Sequence, residues 1–170
     1  MRVVLAHGAS GNAASMAPWV NGLERQGIEA RAIDIPVRKA EDAVEAYRAA
    51  AEPGPDVVIG GQSYGGRVAS LLAAEPNATV AGLILMCYPL HPPGKPESLR
   101  SEHLHRIQCP VLMLSGESDP FARIELLRST IARELPGAQL VTYPGVGHSL
   151  RSITDETVGK MTEFVLSLTV

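Results

Sequence analysis

Ser63 is the residue whose neighbours point most clearly to chemistry. It stands at the centre of a G-x-S-x-G motif at 61–65, which follows a strand-like run at 56–60 and precedes a helix-like run at 66–74. That order is typical of a nucleophile elbow, a sharp turn that exposes a serine hydroxyl above a sheet. The two glycines fit this interpretation, because a Cβ at either position would strike the neighbouring strand or helix. We therefore predict that Ser63 is a nucleophile.

A serine hydroxyl is a weak nucleophile, so it needs a base within hydrogen-bond reach and a third group that orients the base. Asp119 lies just past the strand-like run at 110–115, and His148 lies just past the one at 139–143. The order serine, aspartate, histidine is the order found after a G-x-S-x-G elbow, and it differs from the orders in two other serine protease folds. We predict that His148 is the general base and that Asp119 orients it.

Several charged side chains near this predicted site have more than one interpretation. Asp119 precedes a proline at a predicted helix start, where a carboxylate often caps the helix, and Glu117 would then be the alternative acid. Asp34 and Arg38 follow the second strand-like run and either line the mouth of the site or belong to a surface turn. Arg151 either contacts an anionic substrate or faces solvent.

The remaining histidines are weaker candidates for chemistry. His7 follows the first strand-like run, and we predict that it shapes the adjoining loop through a side-chain hydrogen bond rather than acting as a base. His103 and His105, with His91 as a third ligand, could suggest a metal site. Glu102 is the one carboxylate nearby, so the pattern favours a solvated loop, and we predict no metal.

Strand-like and helix-like runs alternate along the chain, which places these candidates in one architecture. Apolar runs that alternate with helices predict a parallel sheet with helices on both faces, joined by right-handed crossovers. Chemistry in such sheets gathers at the carboxyl ends of the strands, where every candidate lies. The predicted strands are 2–6, 29–35, 56–60, 80–87, 110–115 and 139–143, and the predicted helices are 12–26, 39–51, 66–74, 121–135 and 154–168.

One long irregular stretch, 88–108, interrupts this alternation and is rich in proline and histidine. We expect a short helix near 98–103 within it. The stretch is the one insertion able to cover the site, and it is long enough to form a wall of a pocket but too short for a separate lid domain. The sequence therefore predicts an open site that prefers small, soluble esters to long lipids.

Taken together, these motifs make the chain resemble an α/β-hydrolase, and in particular the small dienelactone-hydrolase-like branch. The resemblance implies the α/β-hydrolase fold. The family usually has two more strands before the first strand found here, so we expect a minimal six-stranded sheet in the order 2-1-3-4-5-6 without a lid domain. The matching segments are 5–10, 61–65, 88–96, 115–120 and 145–149.

The resemblance also implies an oxyanion hole and a pocket. One donor would be the backbone N–H of Tyr64, and the other would come from Ala9 or Ser10. The N-terminus of the helix after Ser63 would add a favourable dipole for developing negative charge. The further candidate pocket residues are His7, Gln62, Tyr88, Leu90 and His91.

Composition limits the broad class of the protein. The 170 residues favour one domain over 1–170, and the net charge of −3 without a basic stripe argues against nucleic acid as a partner. The longest apolar run, Val80–Tyr88, is far shorter than a membrane span. We expect no signal peptide, because Met1 leads straight into a strand. Cys87 and Cys109 are too few for a disulfide framework, so we expect a cytoplasmic protein in which both are small buried hydrophobes.

These observations predict a serine hydrolase that cleaves a small carboxylic ester or thioester through an acyl-enzyme, without cofactor or metal. One alternative is a non-catalytic binding scaffold, because the segment 88–96 is similar to one in a subgroup that includes a hydrolase-like subunit of a histone acetyltransferase complex. Another is an acyltransferase or perhydrolase that uses the same three residues. The sequence leaves the acyl group, the leaving group and the oligomeric state open.

Overall fold

A six-stranded parallel sheet lies between two layers of helices in the computed structural model, which describes residues 1–169. The strand order β2-β1-β3-β4-β5-β6 confirms the predicted order. No helix in this part of the chain is both long and apolar enough to cross a membrane.

The strands are β1 Arg2–Ala6, β2 Glu29–Ile33, β3 Val57–Gln62, β4 Gly82–Met86, β5 Val111–Gly116 and β6 Gln139–Tyr143. The helices are α1 Ala17–Arg25, α2 Ala40–Ala51, α3 Tyr64–Ala73, α4 Ile124–Glu134 and α5 Thr154–Ser167, with 3-10 turns at Ala13–Met16, Leu104–Arg106 and Arg151–Ile153.

Both faces of the sheet are buried, which explains why its inner strands are predominantly apolar. Val3 and Val4 are neighbours in β1, yet they pack on opposite sides because successive side chains of a strand alternate. Helices α2, α3 and α4 cover the face that Val4 joins, and α1 and α5 cover the other, where Trp19 and Phe164 are fully or almost fully buried. The sheet is therefore a rigid platform for the loops at its carboxyl edge.

Helix α5 begins at the predicted residue, whereas the other predicted helices begin elsewhere or do not form. The short helix expected at 98–103 is absent, and a 3-10 turn forms at Leu104–Arg106 instead. Helix α4 begins at Ile124, with Arg123 as its N-cap residue, rather than at 121. Asp119 therefore lies five residues before the helix, and its interpretation as a helix cap is wrong.

The segment between β4 and β5 packs into the body of the protein instead of arching over the sheet edge. Tyr88, Leu90 and Leu104 are fully buried in the hydrophobic core on the side of α2, α3 and α4. The Tyr88 hydroxyl also donates to the Arg100 carbonyl oxygen at 2.7 Å, which ties the start of the segment to its middle. Tyr88 and Leu90 were predicted to line the pocket, and this prediction is wrong because their side chains point into the core.

Candidate active site

Ser63 occupies a one-residue turn between β3 and α3. Its backbone lies at φ 48° and ψ −113°, a region that residues with a Cβ rarely adopt. The turn requires glycine on both sides, because the neighbouring backbone leaves no room for a Cβ at either position. A Cβ on Gly61 would lie 2.5 Å from the Ala6 carbonyl oxygen, and one on Gly65 would lie 2.5 Å from the His7 carbonyl oxygen. Strand β1 and helix α3 can therefore approach this closely only with glycine at both positions.

Ser63, His148 and Asp119 form one continuous chain of hydrogen bonds. Ser63 Oγ lies 2.8 Å from His148 Nε2, and His148 Nδ1 lies 2.7 Å from Asp119 Oδ2. An ionised Asp119 accepts from Nδ1–H, which leaves Nε2 as an acceptor for the Ser63 hydroxyl. The Asp119 side chain is fully buried and the His148 side chain is one-quarter exposed. This arrangement is able to remove the proton from Ser63 when its oxygen attacks.

Asp119 is held by the backbone, and Glu117 is occupied elsewhere. Asp119 Oδ1 accepts the Phe121 N–H at 2.8 Å, which leaves Oδ2 for His148. Glu117 accepts from the Thr142 hydroxyl at 2.7 Å and from Arg128 at 3.1 Å. Glu117 is therefore not the group that orients the imidazole.

The loops after β5 and β6 touch each other, which brings Asp119 and His148 together. The Ser118 N–H donates to the Val146 carbonyl oxygen at 2.9 Å. A Cβ on Gly116 would lie 2.2 Å from that same oxygen. Glycine at position 116 is thus a steric requirement of the site, comparable to the two glycines beside Ser63.

Phe121 contacts the imidazole and was missed by sequence reasoning. Its ring stacks on that of His148, with centroids 4.2 Å apart and planes 28° apart. Phe121 is two residues past Asp119, so the turn that fixes the carboxylate also fixes the phenyl ring. Nothing in the local sequence pattern distinguishes this phenylalanine from a residue of the hydrophobic core.

The loop after β1 forms a turn that lines the same cavity as Ser63. Gly8–Gly11 form a turn closed by a hydrogen bond of 3.1 Å from the Gly11 N–H to the Gly8 carbonyl oxygen. Ala9 and Ser10 are the central residues, whose N–H groups that bond does not use. Tyr64 is the first residue of α3, so its N–H has no acceptor within the helix. Ala9, Ser10 and Tyr64 all line the same cavity as Ser63.

The His7 side chain stabilises this turn through hydrogen bonds of both ring nitrogens. Its Nδ1 lies 2.8 Å from the Gly8 carbonyl oxygen, and its Nε2 accepts the Ile35 N–H at 3.2 Å. The second contact requires a lone pair on Nε2, so Nδ1 carries the proton and donates to Gly8. The side chain is buried and does not line the cavity. His7 therefore shapes the loop as predicted, but its inclusion among the pocket residues is wrong.

The cavity in front of Ser63 has a volume of about 830 Å³. Gln62 lines it as predicted. His91 was also predicted to line it, but this side chain is buried and holds the loop before α4 through contacts to the Pro92 carbonyl oxygen and the Arg123 N–H. The complete lining is Gly8, Ala9, Ser10, Arg38, Lys39, Ala40, Glu41, Gln62, Ser63, Tyr64, Arg67, Pro89, Arg100, Phe121, His148 and Ser149.

Arg38 lines this cavity. Of the two interpretations that the sequence left open for Arg38, the mouth of the site is therefore correct rather than a surface turn. The Arg38 backbone N–H donates to the Tyr64 hydroxyl at 3.1 Å, and that hydroxyl donates to the Pro36 carbonyl oxygen at 2.8 Å. Tyr64 thus ties the loop after β2 to the elbow. Asp34 instead accepts the Ala13 N–H at 2.7 Å, and Arg151 donates to a backbone carbonyl oxygen outside the cavity.

The candidate metal ligands lie apart. His103 is buried against Ser70, with 2.8 Å between Nε2 and Oγ, whereas His105 is exposed beside Glu134. The expectation of a solvated loop therefore holds for His105 and is wrong for His103. In the described part of the chain, one group of potential ligands has its atoms within 4.8 Å of one another, and it consists of Cys87, Asp119 and His148. Asp119 and His148 of this group already form a hydrogen bond with each other.

Comparison with known proteins identifies the family to which this fold belongs. A family model described as an alpha/beta hydrolase domain matches residues 35–163. A bifunctional esterase/perhydrolase from Acinetobacter calcoaceticus is 33% identical over 60 residues. That match covers 35% of this chain and 22% of the relative, so the aligned segment spans about a fifth of that protein's length.

Solved structures share the fold at low sequence identity. A monoacylglycerol lipase from Paleococcus ferrophilus superimposes with a TM-score of 0.82 at 16% identity, covering 98% of this chain and 94% of the lipase. A thermophilic esterase from Thermogutta terrifontis gives a TM-score of 0.76 at 18% identity, covering 100% and 91%. These similarities concern the arrangement of strands and helices.

Proposed function

The chain belongs to the alpha/beta hydrolase domain family, and we propose that it is a serine hydrolase that cleaves carboxylic esters or thioesters. The observation that carries this proposal is the hydrogen-bonded series from Ser63 through His148 to Asp119 at the end of the strained elbow. The resemblance to the dienelactone-hydrolase-like branch supports the same chemistry.

In the acylation half of the reaction, His148 Nε2 takes the hydroxyl proton as Ser63 Oγ bonds to the carbonyl carbon. The tetrahedral intermediate then collapses, its bond to the leaving oxygen or sulfur breaks, and His148 returns the proton to that atom. Asp119 keeps the imidazole in the required tautomer and stabilises the imidazolium. The product of this half is an acyl-enzyme on Ser63.

In the second half, His148 takes a proton from water, whose oxygen bonds to the acyl carbon. The Ser63 oxygen leaves and recovers the proton, which restores the enzyme and releases the acid. The backbone N–H of Tyr64 and that of Ala9 or Ser10 would hold the negative oxygen in both intermediates. One such donor typically contributes about 3 kcal/mol to lowering the barrier.

Transfer of the acyl group to an acceptor other than water is a second candidate function. It is supported by the similarity to a bifunctional esterase/perhydrolase, and the same acyl-enzyme would serve both reactions. Hydrogen peroxide or an alcohol added as a competing acceptor should yield a peracid or a new ester if transfer occurs. Exclusive formation of the free acid would rule out this candidate.

The proposal includes a cytoplasmic location and one domain over 1–170. Cys87 and Cys109 are both free, which favours a reducing compartment. Cys87 lies in the core, and burial together with the nearby Asp119 raises the pKa of its thiol to about 12. This cysteine is therefore a poor nucleophile and does not compete with Ser63.

Covalent labelling tests the proposal. A neutral fluorophosphonate probe should modify the wild-type protein, and Ser63→Ala should abolish the modification. Ser70→Ala is the matched control, because Ser70 also contacts a histidine, His103, but is buried. It should retain labelling. Circular dichroism establishes that each variant is folded. If folded wild-type protein is not labelled, the non-catalytic binding scaffold is the better interpretation.

A further inference from the structure

The cavity in front of Ser63 is strongly cationic, although the whole chain carries a net charge of −3. Besides His148, its charged lining consists of four cations and one carboxylate. The carboxylate is Glu41, and the cations are Arg38, Lys39, Arg67 and Arg100. Such a concentration of one sign in a concave site attracts ligands of the opposite sign.

These cations are poorly neutralised by the protein itself. Within residues 1–169, no salt bridge involves Arg38, Lys39 or Arg100. Arg67 contacts Glu41 at 3.0 Å through one terminal nitrogen, but its Nε is buried without a hydrogen-bond partner. A buried donor without an acceptor is costly, so the contact with Glu41 leaves Arg67 incompletely compensated.

Arg67 and Arg100 reach the cavity from two different elements. Arg67 lies in the first turn of α3, and Arg100 lies in the segment between β4 and β5. Burial, together with the neighbouring Arg67 guanidinium, lowers the pKa of Arg100. Two like charges near each other are unfavourable when no anion lies between them. The arrangement is therefore what a site for a negatively charged group requires.

The cationic side chains share one cavity with the nucleophile. The Arg67 backbone N–H donates to the Ser63 carbonyl oxygen at 3.0 Å, so Arg67 lies one turn into the helix that follows the elbow. Ser63, Arg67 and Arg100 all line the cavity. The cavity therefore has room for one ester that places its carbonyl carbon at Ser63 Oγ and an anionic group at the two guanidinium groups.

We propose that this cavity binds an anionic oxygen group, a carboxylate or a phosphate, carried by the same ester or thioester that Ser63 attacks. The proposal rests on the proposed function and adds the substrate class to it. Arg67 and Arg100 are the principal ligands of that group, because planar guanidinium groups bind carboxylate and phosphate oxygens in pairs. Arg38 and Lys39 add charge at the cavity wall formed by the loop after β2.

Paired substrates test this specificity. The 4-nitrophenyl monoester of adipic acid and 4-nitrophenyl hexanoate have acyl chains of equal carbon number and differ in the terminal carboxylate. Similarly, 4-acetoxybenzoate and its methyl ester differ in a carboxylate on the leaving group. We expect kcat/KM to be at least about tenfold higher for the anionic member of one pair, and the pair that responds identifies the side that carries the charge.

Arginine variants assign the preference to the proposed ligands. Arg100→Gln should reduce the anionic-to-neutral ratio of kcat/KM by about tenfold, measured against the same variant's own rate on the neutral ester. Arg25→Gln is the control, because it removes one charge at an exposed position outside the cavity. It should leave the ratio within about twofold of wild type. Equal rates for both members of both pairs would overturn the proposal.

A binding measurement separates this proposal from the proposed function. Calorimetry with Ser63→Ala should detect adipate, inorganic phosphate or both, and Arg100→Gln in that background should weaken binding about tenfold. The anion that binds identifies the charged group. If labelling of Ser63 fails while anion binding depends on Arg100, only the proposed function is wrong. If neither anion binds, or Arg100→Gln leaves affinity unchanged, the anion site is wrong.

Discussion

The phenyl ring of Phe121 lies against the imidazole of His148, with ring centroids 4.2 Å apart. The backbone N–H of this phenylalanine also donates to Asp119 Oδ1. One residue therefore restrains two members of the hydrogen-bonded series: it restrains the carboxylate through its backbone and the imidazole through its side chain. It is a positioning residue for the base and a wall of the cavity at once.

Phe121→Leu should slow the reaction of Ser63 with a fluorophosphonate by about two- to tenfold. This range corresponds to about 0.5–1.5 kcal/mol for an aromatic pair. The inactivation rate is a suitable readout, because it requires an oriented base and depends little on how a large substrate fills the cavity. Phe121→Tyr keeps a ring in the same place and should restore most of the rate. Equal loss in both variants would contradict a stacking role.

Asp119→Asn should reduce kcat by about 10³–10⁴-fold, because an amide favours the wrong tautomer of the imidazole. The fold should persist, since the Asn carbonyl oxygen can still accept the Phe121 N–H. Glu117→Gln is the matched control two residues earlier, and its carboxylate contacts Thr142 and Arg128. Ester hydrolysis by Glu117→Gln should stay within about threefold of wild type. A loss as large as that of Asp119→Asn would identify Glu117 as the acid.

Gly65→Ala should destabilise the protein by about 3 kcal/mol, because its Cβ would lie 2.5 Å and 2.6 Å from two backbone carbonyl oxygens of β1 and the following loop. Gly159→Ala is the opposite case. Gly159 is an exposed position of helix α5, where an added Cβ meets nothing within 4 Å. This change should stabilise the protein by about 0.5–1 kcal/mol. Urea denaturation of both variants measures the contrast, and equal effects would refute the steric account of the elbow.

His103 should make the stability of the fold dependent on pH. Burial lowers the pKa of this side chain to about 4, below its ordinary value of 6.5. The unfolded chain therefore binds the proton more tightly, so the free energy of unfolding falls as the pH drops from about 6.5 towards 4. Each unit of pKa difference contributes about 1.4 kcal/mol, and stability is complete above pH 6.5.

Two glutamine variants test that contribution by urea denaturation at pH 7 and pH 5. His103→Gln offers an amide nitrogen to Ser70 and should lose part of the wild-type difference between the two pH values. His105→Gln should keep the full difference, since His105 is exposed. The prediction fails if His103→Gln and wild type lose equal stability on acidification.

A chain-length series of 4-nitrophenyl esters should peak at short acyl groups. The segment between β4 and β5 contributes Pro89 and Arg100 to one wall, while its other large side chains are buried in the core. The described residues thus offer little apolar cover for a long acyl chain. Highest kcat/KM with long acyl groups would contradict the open site.

The amino-acid sequence determined the elements and the local chemistry of this protein. The alternation of apolar runs with helical patterns was enough to predict six parallel strands, because each pattern reflects contacts within one element. Their observed order was expected from the resemblance to α/β-hydrolases. The motif around Ser63 was equally informative, since the steric demands on Gly61 and Gly65 follow from a turn of one residue. The predicted boundaries of helices were less accurate. Helix α4 begins at Ile124 rather than at 121, because capping depends on the approach of the preceding loop.

Only the tertiary structure decided which side chains line the cavity. Tyr88 and Leu90 follow a strand in the region expected for a pocket, yet the path of their backbone turns both into the core. Arg67 and Arg100 are far apart in the sequence, but helix α3 and the segment after β4 bring them to one cavity. Contacts between distant segments depend on backbone direction and on packing against a shared sheet. Local patterns therefore predicted the nucleophile, and the folded chain determined what surrounds it.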